Sequence, residues 1–205
     1  MGTVNVQRNV ERIDDPPVQA GMSAQHRVRQ LVAPGNWDAT DPFLLLMEDW
    51  FPRGVFDWHP HRGIETVTYV IDGALEHQDN AGHSGTIRAG DVQWMTTGRG
   101  LLHVEQPPVG VTTHSLQLWV NLPASEKMAE PRYQDLVVEA LPVRRESGAT
   151  ARVYSGASGQ VVASTKNYVP VTMAEFRLDP GARTSQELPG DRNMSMGLRH
   201  ICSRV

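Results

Sequence analysis

The stretch His59-Pro60-His61-Arg62-Gly63-Ile64-Glu65-Thr66-Val67-Thr68-Tyr69-Val70-Ile71-Asp72-Gly73 decides the fold. Residues 65–71 are β-branched or aromatic at most positions and end at an Asp-Gly turn, so they read as a strand. Upstream, Phe43-Leu44-Leu45-Leu46-Met47 is a short apolar run that suits a buried strand rather than a membrane span. Downstream, residues 74–78 and 83–87 flank Asp79-Asn80-Ala81-Gly82, a hairpin turn. Residues 92–95, 101–105 and 113–121 give further short strands, separated by Ala89-Gly90-Asp91 and Gly98-Arg99-Gly100. In the last of these, Leu116, Leu118 and Val120 share one face and Ser115, Gln117 and Trp119 the other. Short strands at close spacing with glycine turns predict an all-β sandwich, barrel or jelly roll.

The first forty residues look like an irregular lead-in draped on this core. Residues 125–129 suit one helical turn before Pro131. The β pattern returns at 152–154, 160–163 and 171–178, which places a boundary near residues 122–135. The expected organisation is an N-terminal domain over 1–130 and a partial second domain over 131–205.

Side chains two apart on a strand point the same way. His59 and His61 therefore present two imidazoles together, and His103 and Glu105 present an imidazole and a carboxylate. Two such pairs facing one another across a barrel would make a four-ligand site for one divalent ion. Imidazole with one carboxylate suits Fe, Ni, Cu, Zn or Mn alike. Glu105, beside an open coordination position, is also the candidate catalytic base. Trp50, Trp58, Trp94 and Trp119 are candidates to line a pocket or to fill core. Gln93 and Gln117 could offer polar contacts inside the barrel. His77 and His83 sit near a turn and read as solvent-exposed. His114 reads as a satisfied barrel histidine.

The chain of 205 residues has a formal net charge of -4. Residues 1–130 carry a net -7 and residues 131–205 a net +3. An acidic main domain argues against direct binding of nucleic acid. There is no basic-then-apolar leader and a single cysteine, Cys202, from which a cytoplasmic location is expected, with no membrane association.

The 59–70 stretch resembles the first cupin motif as pirins write it. Gly90-Asp91-Val92-Gln93-Trp94-Met95-Thr96-Thr97-Gly98-Arg99-Gly100 with His103-Val104-Glu105 resembles the second. Leu116-Gln117-Leu118-Trp119-Val120-Asn121-Leu122-Pro123 is also similar to pirins, and the likeness runs nearly unbroken from residue 41 to about residue 131. The resemblance implies a cupin double-stranded β-helix followed by a second cupin-like barrel. It also implies a non-haem iron held by His59, His61, His103 and Glu105. The usual cupin carboxylate slot falls at Thr66, and Glu65, one position off, should face away and not ligate. The implied activity is that of a quercetin 2,3-dioxygenase: an oxidoreductase opening a flavonol ring with O2. The alternative is an iron-containing, redox-sensitive regulatory protein acting through protein partners, as monomer or homodimer. The second barrel reads as incomplete. Either the tail packs on the first barrel, or a second copy covers it, or the chain is truncated.

Overall fold

The computed structural model describes residues 12–188. Residues 193–205 of the tail, with His200 and Cys202, lie outside them. Along the chain come β1 (Gln19–Ala20), β2 (Arg27–Val32), α1 (Trp37–Thr40), β3 (Phe43–Pro52) and β4 (His59–His61). They are followed by β5 (Ile64–Asp72), β6 (Ala74–Asp79), β7 (Ser84–Arg88), β8 (Val92–Thr96), β9 (Leu101–Gln106) and β10 (Thr112–Asn121). The remainder is β11 (Arg132–Leu136), β12 (Val143–Glu146), β13 (Ala149–Ser155), the hairpin β14 (Ala157–Ser158) and β15 (Val161–Val162), and β16 (Met173–Leu178). Among the described residues, no helix is long and apolar enough to cross a membrane.

One sheet runs β1-β2-β3-β10-β5-β8-β11 and the other β4-β9-β6-β7, with every pairing antiparallel. From β3 to β10 the chain passes back and forth between them, with one hairpin at β6–β7. This is the winding of a jelly roll, and the fold is the cupin double-stranded β-helix. Glycine makes the turns possible: Gly73, between β5 and β6, has φ +85° and lies so close to the backbone of Thr112 and Thr113 that a side chain would crowd it.

The lead-in is more ordered than its composition suggests. Arg27-Val28-Arg29-Gln30-Leu31-Val32 pairs along β3 and covers an edge that would otherwise stand open. The expected turn at 125–129 is a short 3-10 helix over Ala124–Glu126.

Two apolar clusters organise the molecule. Inside the roll, Phe51, Val70, Leu75 and Ile87 pack with Val55 and Phe56. The larger cluster lies on the outer face of the first sheet, where Val67, Val92, Trp94 and Val120 meet Tyr154 and Val171. Leu118, Phe43, Leu136 and Met173 pack against it. The alternation in β10 thus has its apolar face outside the roll and its polar face, Ser115, Gln117 and Trp119, within. The second part of the described chain forms the three-stranded sheet β12-β13-β16 and the β14–β15 hairpin. Its Tyr154 donates a hydrogen bond to the Gly90 carbonyl at 2.8 Å.

Candidate metal centre

His59 and His61 lie on β4, an edge strand, where Pro60 can sit without breaking a ladder because its missing N–H faces no neighbour. β4 pairs with β9 so that His59 stands opposite His103. The two motifs are therefore side by side in one sheet, not on opposing walls as their spacing alone suggested. The close pairing follows from the short turns on either side of each strand. The ligand nitrogens of His59, His61 and His103 all lie within 4.8 Å of one another. His103 is buried, while His59 and His61 are partly open to solvent, so the cluster has one accessible side.

The detailed geometry suits a cation. His59 Nδ1 is 2.7 Å from the Asp57 carbonyl oxygen. A carbonyl only accepts, so Nδ1 carries a hydrogen, and Nε2 is the nitrogen turned toward the other imidazoles. That Nε2 stands 3.0 Å from His103 Nε2. With metal–nitrogen bonds of about 2.1 Å, ligands at right angles are about 3.0 Å apart, so the pair is spaced to share an ion. Burial, reinforced by the neighbouring imidazoles, pushes His61 down to about 4 and His103 down to about 3. Both rings are therefore neutral, as ligands must be, well below pH 7.

Glu105 lies two residues beyond His103 on the same face of β9 and is buried. It stands outside the tight imidazole set. Thr68 Oγ1 lies 3.2 Å from Glu105 Oε1 and 3.0 Å from Gln117 Oε1. One hydroxyl has one hydrogen. Thr68 can donate it to the Glu105 carboxylate or to Gln117, but not to both at once. Burial pushes the Glu105 carboxyl up from its ordinary value, against the Thr68 hydroxyl, which draws it down. Glu65 is turned to the other face, where it accepts from Thr96 Oγ1 at 2.8 Å and from the Tyr168 N–H at 3.5 Å.

Of the tryptophans, only Trp119 touches the triad, its ring edge-on to His61 at 5.1 Å. Trp58 adjoins His59 in sequence and is half exposed. Trp94 fills the outer core, and Trp50 stacks on His114 at 4.4 Å. His114 is satisfied there by Glu48 at 2.9 Å, on the outside of the roll. His83 is exposed, as expected, and bonds Asp79 at 2.9 Å. His77, by contrast, is buried. The sequence signal was its parity with Leu75, an inward residue two positions earlier on β6.

A family model described as Pirin matches residues 24–120. Pirin of Homo sapiens is 45% identical over 165 residues, 80% of this chain and 57% of that protein. The crystal structure of GK1651 from Geobacillus kaustophilus is similar with a TM-score of 0.87 at 56% identity, covering 89% of this chain and 73% of that one. Quercetin 2,3-dioxygenase from Acinetobacter baumannii is similar with a TM-score of 0.62 at 31% identity, covering 76% of this chain and 59% of that one. The chain spans a little over half the length of the curated relatives it matches. With its jelly roll, its paired histidines and these kinships, the chain belongs to the pirin family.

Proposed function

We propose that the protein is a metal-dependent dioxygenase that opens a flavonol ring, quercetin or a close analogue, with O2. The observation that carries this reading is the convergence of three imidazoles within 4.8 Å at a half-open position inside the roll. Kinship at 31% identity to a quercetin 2,3-dioxygenase supports the substrate class. His59, His61 and His103 would hold one divalent ion, iron in first place, with Glu105 as fourth ligand. The bound ion would supply Lewis acidity and a docking point for the hydroxyl and ketone oxygens of the flavonol. Glu105 would take the proton of the flavonol hydroxyl. Its burial suits it to that task, because a carboxyl raised from its ordinary range is the better base. Trp119, edge-on to His61, offers a flat surface to an aromatic ring.

The test is to mix iron-loaded protein with quercetin under oxygen. Bleaching of the flavonol with release of carbon monoxide is expected. Bleaching no faster than with free metal, for iron and equally for Ni, Cu, Zn and Mn, rejects the reading.

A further inference from the structure

Behind Glu105 lies a buried imidazole that the proposed reaction does not use. The register of β6 on β9 sets His77 directly opposite Glu105. Its side chain is 3% exposed, yet neither ring nitrogen has a hydrogen-bond partner among the described residues. Nε2 faces Asp135 Oδ2 across 3.7 Å. The ring lies nearly parallel to Tyr133, 5.1 Å between centroids and 23° between planes.

Three strands give up positions to hold this ring. Tyr133 and Asp135 come from β11, at the far edge of the opposite sheet. Asp135 is itself fixed by Gln93, whose Nε2 donates to Oδ1 at 3.0 Å. On β7 the residue opposite His77 is Gly85. A side chain there would begin 2.6 Å from His77 Nε2 and 3.0 Å from Asp135 Oδ2. Gly85 keeps its place for room, not for a positive φ, and the room goes to the imidazole and its carboxylate. A site that needed only filling would take Phe or Leu rather than bury an imidazole whose Nε2 faces a carboxylate. Glu105 is the cross-strand neighbour of His77 on the same inner face of the sheet, near enough for one side chain to bear on the other.

We propose that His77 is a positioning residue for Glu105. Asp135 and Tyr133 fix the plane of its ring, and the ring fixes the Glu105 carboxylate relative to the three imidazoles. The inference rests on Glu105 being a ligand, and does not depend on which substrate the site takes.

The experiment is titration of the metal-free protein with Co(II), followed by visible absorption, in wild type, H77F, E105Q and the double variant. H77F keeps a flat ring against Tyr133 and loses the nitrogens. Its Co(II) affinity is expected to fall about tenfold or more, with the visible bands moved toward those of E105Q. In the E105Q background, H77F should add nothing, whereas a merely structural role would add its effect there too. Wild-type affinity and bands in H77F, with E105Q altered, overturn the inference and leave the ligand role of Glu105 standing. Unaltered bands in E105Q overturn both. Should H77F fail to fold by circular dichroism, Asp135→Asn decides by the same criteria, since its side chain is 37% exposed and its loss is tolerable to the fold. Failure to bleach quercetin would leave all these readouts in place.

Discussion

At the scale of the residue, the site depends on parity. His59 and His61 converge because one residue separates them on a strand, and the same rule sets Glu105 beyond His103. This much is legible in the sequence, as is the turning away of Glu65. His61→Ala should reduce bound metal from near one ion per chain toward none, as read by elemental analysis. Glu65→Gln should leave that content unchanged, and loss of metal from it would contradict the assignment. The pH response of the metal-free protein follows from the imidazoles. His61 and His103 are held down to about 4 and about 3, so between their ordinary value of 6.5 and those values the unfolded chain binds more protons than the folded one. Stability is then fully present above pH 6.5, falls as pH drops through that window, and levels off below pH 3. Urea midpoints at pH 7 and pH 5 check this, and equal midpoints would refute it. What the sequence hid at this scale is His77. It looks like a turn residue until Tyr133 and Asp135, from a strand far along the chain, close over it.

At the scale of the element, the strands from β5 to β10 were readable because Gly and Asp mark their ends, whereas β3 runs five residues past the apolar run 43–47, to Pro52. The strand β2 was not readable. Arg27, Arg29 and Gln30 blur its alternation, and it gains its order by pairing along the edge of β3 rather than from its own apolar face. The turn between β8 and β9 shows how a loop can be held from both sides. The Gly63 N–H donates to the Gly98 carbonyl at 2.8 Å, and the Arg99 N–H donates to the Ala129 carbonyl at 2.9 Å. Gly98 has φ +46°, and an added Cβ would run into the Ala129 carbonyl. Gly98→Ala should therefore cost more than about 2 kcal/mol in chemical denaturation. A loss under half of that would mean that the 124–129 segment yields freely. Because this turn leads straight into β9, the same variant should also loosen His103.

At the scale of the whole molecule, the larger apolar cluster is shared. Trp94 and Val120 belong to the roll, and Tyr154 and Val171 to the part that follows. The sequence suggested a boundary near residues 122–135 because one helical turn interrupts the β pattern before it returns, but apolar packing between distant strands leaves no mark on local pattern. Trp94→Ala should destabilise the protein by about 3–5 kcal/mol. In the wild type, tryptophan fluorescence and far-ultraviolet circular dichroism should report one coincident urea transition, since both parts lose the same cluster. Two separated transitions would show that the parts stand independently. There is a temporal side to β11 as well. Its Tyr133 and Asp135 complete the inner wall of a roll whose eight winding strands have all been translated by Asn121. A nascent chain halted on the ribosome at that point carries every histidine of the triad but lacks the ring and the carboxylate that face His77, so that wall of the roll can close only after β11 has emerged.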